Sequence, residues 1–123
     1  MTKEAIGYIN SQLEEAGINY EFGVWTSDIV YPYFVGEYNE SDVVLEDGLH
    51  EADFFLNGFT KGSWLDLETA KETIENVFSG NTTILSNGSG IDISYAGSLV
   101  IPTGDENLKR MQINLKIKEW MVK

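Results

Sequence analysis

The 123-residue chain has no cysteine, one histidine, two prolines and only 8 lysines and arginines. Without cysteine there can be no disulfide framework, no thiolate zinc site and no cysteine nucleophile. Apolar runs extend for only a few residues, whereas a membrane-spanning helix needs about 20. The N-terminal segment MTKEAIGYINSQLEE is amphipathic and acidic, without the basic start and apolar centre of a secretory signal, which predicts a cytoplasmic protein. In that setting the sequons at Asn39, Asn81 and Asn87 are loop composition. The few basic residues stand against 20 acidic ones, a net charge of −12, which argues against binding nucleic acid by phosphate neutralisation.

What is present is a globular composition, 42% apolar and 23% charged, at a length that suits one domain with one core. The expectation is a single α+β domain over residues 1–123. The charge is uneven. Residues 1–78 hold 16 acidic residues and the lysines Lys3, Lys61 and Lys71, a net of −13; residues 79–123 hold 4 acidic and 5 basic residues, a net of +1. A fold that separated the two parts would have one negative and one nearly neutral surface, which head-to-tail association of copies could use. The competing reading is an acidic surface that only keeps the protein soluble.

Ile6, Ile9, Leu13 and Ala16 recur at helical spacing behind a Thr2 cap, with Gly17 placed to end the helix. From Ile18 to Val24 the period falls to two, which predicts a half-buried strand ending near Trp25. The stretch IVYPYFVGEYNESD, residues 29–42, is strand-prone but interrupted by Pro32, which has no N–H for a sheet ladder. It reads as an edge strand, a strand starting at the proline, or a bulge. Residues 39–50 read as an acidic loop, and residues 51–60 as a strand with Phe54 and Leu56 opposed to Phe55 and Asn57. Ser63 to Asp66 has the form of a capping box, opening a helix whose apolar face is Leu67, Ala70, Ile74, Val77 and Phe78. Strands follow at Thr82 to Leu85, Ile91 to Tyr95 around an Asn87-Gly88 turn, and briefly at Leu99 to Ile101. In the last strand Met111, Ile113, Leu115 and Ile117 alternate with Gln112, Asn114, Lys116 and Lys118. The predicted class is α+β: a mostly antiparallel sheet of about five or six strands with two helices on one face.

No catalytic pattern emerges. His50 has no identifiable nucleophile or orienting partner and reads as an exposed loop histidine. The carboxylates Asp42, Glu46, Asp47, Glu51 and Asp53 lack the register of a calcium loop, and Gly88 and Gly90 lie in a hairpin where no phosphate cradle forms. No cofactor or metal is expected. Trp64 reads as core or a hydrophobic staple, and Trp25 and Trp120 as partly exposed aromatics at element ends, the kind protein interfaces enrich.

The element order, together with Pro32-Tyr33 and Val35, Asp47-Gly48, Trp64 before the second helix, and the alternating run from Arg110 to Lys118, resembles the small tail-terminator and tail-completion proteins of long-tailed bacteriophages and prophages. That resemblance implies a non-enzymatic subunit of a hexameric ring that ends the tail tube and joins the head connector, present in the bacterial cytoplasm during assembly and then in the virion tail. It implies partners in further copies of itself, the tail-tube protein and the connector, with no nucleic acid or membrane. Contacts are then expected at Tyr31, Tyr33, Val35, Glu37 and Tyr38, at Asp42, Glu46 and Asp47 in the loop, and at Lys116 and Lys118. Two alternatives stay open: an acidic protein-binding module of the nucleic-acid-mimic or immunity type, and a small enzyme centred on His50 and Glu51.

Overall fold

The computed structural model describes residues 1–40 and 48–121. The first helix, α1, spans Lys3–Glu15; Thr2 Oγ1 accepts a hydrogen bond from the Ala5 N–H at its start, so one orphan donor of the first turn is satisfied. It stops where Gly17 turns left-handed at φ 78°, letting the Ile18 N–H reach back to the Leu13 carbonyl. Helix α2, Trp64–Val77, opens on the predicted box: Ser63 Oγ accepts from the Leu65 N–H, and the Asp66 carboxylate accepts from the Ser63 N–H.

Six strands form one sheet in the order β1-β2-β3-β6-β5-β4. They are β1 (Tyr20–Phe22), β2 (Tyr33–Glu40), β3 (Leu49–Thr60), β4 (Asn81–Ile84), β5 (Gly90–Ile101) and β6 (Lys109–Trp120). All neighbours are antiparallel except β1 and β2, which run parallel. This is the α+β class expected from the sequence, with both helices packed into a core whose sheet side is Phe34, Phe54, Leu56, Ile91, Ile93, Met111, Ile113, Leu115 and Ile117. Each is nearly or fully buried, a stabilisation of about 1.5–3 kcal/mol per large side chain.

Several expectations change. The strand predicted from Ile18 to Val24 contracts to three residues, because Gly23 turns at φ 84° and Val24 swings out to solvent. Residues 29–31 are not strand; β2 begins directly after the cis Tyr31–Pro32 peptide. Nor is β2 simply an edge. It is second in the sheet, covered by β1 along Phe34 to Gly36 and open only from Glu37 to Glu40. Of the predicted loop, Asn39, Glu40, Leu49 and His50 are strand residues that extend β2 and β3, while residues 41–47 lie outside the described residues. Leu99 to Ile101 is the far end of a long β5, which bulges between Tyr95 and Ser98. Trp64 is 39% exposed, so it is neither core nor a buried staple.

Candidate functional site

The helices cover one face of the sheet, and the other is bare. Because strand side chains alternate, residues paired across the ladder share a face, and the registers bring Tyr33, Phe59, Arg110 and Ile101 into one row of the bare side. This row is aromatic. Tyr33 lies 5.2 Å from Phe59, 4.9 Å from Trp25 and 5.7 Å from Tyr31 between ring centroids, and the Arg110 guanidinium sits 5.6 Å above the Phe59 ring. Partial burial, and then the adjacent Tyr31 phenol, push the Tyr33 hydroxyl up from its ordinary value.

The next rows are polar and mutually bonded. Asn57, only 6% exposed, accepts from Arg110 Nη2 at 2.8 Å and donates to Glu37 Oε1 at 3.1 Å, so its amide joins a cation and an anion that are not themselves in contact. Gln112 Nε2 donates to Asn114 Oδ1 at 2.9 Å. Further down, Lys116 Nζ lies 3.5 Å from Asp53 Oδ1 and 3.7 Å from Glu51 Oε2. These ion pairs are half exposed and contribute little to stability.

The predicted contact residues are therefore divided. Tyr33, Val35, Glu37, Lys116 and Lys118 share the bare face, and Tyr31 packs in a tilted arrangement against Tyr33. Tyr38 does not join them: it points to the helix side, where Phe22 stacks 6.1 Å from it. Asp42, Glu46 and Asp47 lie outside the described residues. Phe55, Asn57, Phe59 and Arg110 belong to the face and were not singled out, although the period of two in β3 puts Phe55, Asn57 and Phe59 on one side.

The enzyme reading loses its geometry. His50 is not an exposed loop residue but a half-buried member of β3, beside Met1, Thr2, Glu40 and the buried Glu119 on the helix side. Glu51, the next residue, points to the bare face toward Lys116. Glu119, which faces that histidine across the strand pair, is already bonded to the Thr2 hydroxyl at 2.6 Å. Among the described residues no group of His, Asp and Glu side chains is arranged to hold a metal, and no helix is long and apolar enough to cross a membrane.

The lateral edges are as distinctive as the face. On one side a groove runs along β1, walled by Asn10 and Glu14 of α1 and by Val24, Trp25 and Asp28 of the connection to β2. Asn10 Oδ1 and Trp25 Nε1 are buried there without a hydrogen-bond partner in the described chain. Glu21 holds this connection by accepting from Thr26 Oγ1 at 2.5 Å and from the Thr26 and Ser27 N–H groups, and the Thr26 hydroxyl above all keeps its carboxyl below the usual range. At the other end of the strand order β4 covers β5 only from Gly90 to Ile93. Beyond it β5 is open, with Leu99 and Val100 exposed and Trp64 of α2 lining a groove with Val100.

No known family matches the chain, and no curated protein matches it in sequence. Its fold is similar to that of a chain in the virion of a native gene transfer agent particle, with a TM-score of 0.70 over 88% of this chain and 83% of that one, at 12% sequence identity. At that identity the likeness shows the fold.

Proposed function

We propose that this chain is a non-enzymatic structural protein of a phage-type virion, forming a ring that terminates the tail tube and joins it to the head connector. The observation that carries this reading is the fold likeness to a chain of a gene transfer agent virion. A bare, bonded sheet face and two uncovered lateral edges fit a subunit that works by contact. In this reading the aromatic row around Tyr33 and Phe59 and the lower rows with Lys116 and Lys118 meet the tube or the connector, while the edges meet neighbouring copies. Assembly takes place in the bacterial cytoplasm, and the finished ring resides in the virion tail. An acidic nucleic-acid mimic is disfavoured because Lys116 sits between Glu51 and Asp53 on the bare face and breaks up any phosphate-like row of carboxylates there.

The test is electron microscopy and light scattering of the purified chain, alone and mixed with polymerising tail-tube protein from the same gene cluster. Rings with a central opening and tubes capped at one end are expected. A chain that leaves tube length and tube ends unchanged refutes the role in termination.

A further inference from the structure

The two open edges of the sheet lie at the same height. Following the registers across, Tyr20 of β1 is in the row Phe34, Gly58, Met111, Val100, and Phe22 is in the row Gly36, Leu56, Ile113, Ser98. The three residues of β1 therefore stand level with residues 98–100 of β5 at the other end of the strand order. Over these rows β1 projects one strand beyond β2, while the far side is one strand short because β4 stops at Ile93 of β5. The projection on one side matches the recess on the other.

The chemistry of the recess agrees. Beyond the bulge at Tyr95 to Ser98, residues 98–101 carry neither charge nor proline, two of the devices that keep a strand edge from pairing, and Leu99 and Val100 are 47% and 54% exposed. The β1 side has the complementary form: an open strand as the floor of a groove of ≈730 Å³, exposed apolar Val24 and Val30, and the unpartnered Asn10 and Trp25 atoms. It is also acidic, with Glu14, Glu21 and Asp28 lining the groove. Two β1 edges brought together would oppose carboxylates to carboxylates, whereas residues 94–101 of β5 carry none; the acidic residues lining that recess, Asp105 and Glu106, share it with Lys109. The occupant that fits is thus the opposite edge of a second copy.

We propose that each copy seats residues 98–101 of its neighbour along its own β1, with Tyr20 opposite Val100 and Phe22 opposite Ser98, so that the sheet continues from subunit to subunit. The pairing is antiparallel, since β1 runs with β2 and β6 and against β3 and β5. It is heterologous, and because the joined segments are level, each added copy gains little height along the strand direction, which favours closure into a ring over an open helix. This inference rests on the ring reading above and specifies its interface.

The absence of native cysteine makes a direct test clean. The double variant Phe22→Cys with Ser98→Cys places two thiols on directly opposed positions of neighbouring copies, where Cβ atoms of a strand pair lie about 4.5–5.5 Å apart. Mild oxidation is expected to give a ladder of covalent multimers on a non-reducing gel, and a mixture of the two single variants to stop at dimers. Phe22→Cys with Ile84→Cys, whose second site lies on β4 several rows away, is expected to stay monomeric. Separately, Val100→Lys should melt like the parent, as the position is exposed, yet associate about tenfold or more weakly, because a charge is driven into the strand contact. A parent that assembles while the first pair fails to cross-link and Val100→Lys assembles normally overturns the edge pairing and leaves the ring. A parent that is monomeric at every concentration overturns both.

Discussion

Gly58 sits in β3 opposite Phe34, and a Cβ built on it would collide with the Phe34 ring. Its backbone is not in the left-handed region, so alanine is conformationally acceptable and any cost of Gly58→Ala must come from that ring. Phe34 is 1% exposed, and its nearest relief is the shallow cleft it shares with Ala16, Pro32 and Ala70. Overpacking of this kind costs about 1–3 kcal/mol. The lower chain entropy of alanine in the unfolded state offsets about 0.4–1 kcal/mol of it. A net loss of about 1–2 kcal/mol remains, and with an unfolding entropy of about 2.1 cal/mol/K per residue that lowers Tm by roughly 4–8 °C. The assay is calorimetric or circular-dichroism melting of a double-mutant cycle with Phe34→Leu. Phe34→Leu alone is destabilising, but in its background the Gly58→Ala cost should fall by more than half, since the two closest atoms, Cε1 and Cζ, are gone. A Gly58→Ala protein that melts with the parent, or a cost unchanged in the Phe34→Leu background, refutes the contact as the reason for glycine.

Gly36→Ala would press on the Tyr20 side chain and the Phe54 ring; Phe54 is walled in, so Tyr20 and the short β1 should yield, and hydrogen exchange in residues 18–24 is expected to accelerate with a smaller change in Tm than for Gly58→Ala. Ser63→Ala removes the acceptor for the Leu65 N–H and should cost about 1 kcal/mol in denaturant unfolding, against no change for the exposed Ser79→Ala. Glu21 has a lowered carboxyl pKa in the folded chain, so the stability it lends is present above the ordinary carboxylate value and is lost as pH falls through the lowered one. The difference in Tm between the parent and Glu21→Gln should therefore be largest near neutrality and shrink on acidification; a difference that grows in acid contradicts the assignment.

The local parts of this fold could be read from the chain because their causes are local. Thr2, Gly17, Ser63 and Asp66 act within a few residues of their own position, and the alternation in β3 and β6 assigns faces without knowledge of neighbours. What joins the site is long range. Arg110 meets Asn57 across 53 positions and Asn57 meets Glu37 across 20, and nothing in any one segment names its partner. The period of two also divides Tyr31 to Tyr38, sending Tyr33, Val35 and Glu37 one way and Tyr38 the other. The same rule separates His50 from Glu51. The parallel placement of β1 was hidden for another reason: short links favour antiparallel hairpins, but the connection from Gly23 to Pro32 is long enough to bring the chain back beside β2 in the same direction.

The uneven charge gains a spatial meaning from the strand order. The acidic residues 1–78 supply both helices and the β1-β2-β3 half of the sheet, and the nearly neutral residues 79–123 supply the β6-β5-β4 half. The β1 groove is thus lined by Glu14, Glu21 and Asp28, while the uncovered segment of β5 from Ser94 to Ile101 has no charged residue of its own. For a chain of net charge −12, a two-fold dimer through the β1 edge would oppose like charges, while head-to-tail contact sets the acidic edge against the Ser94 to Ile101 segment of β5, which carries none. Whole-molecule repulsion persists in either arrangement and is screened over about 10 Å at 0.1 M salt. Raising salt from a low value should therefore strengthen association, the reverse of an interface held by ion pairs. Pro32 has its place in the same scheme. By ending the irregular connection and starting β2 directly after itself, it leaves residues 29–31 outside the ladder, so that β1 alone presents a strand edge at that height.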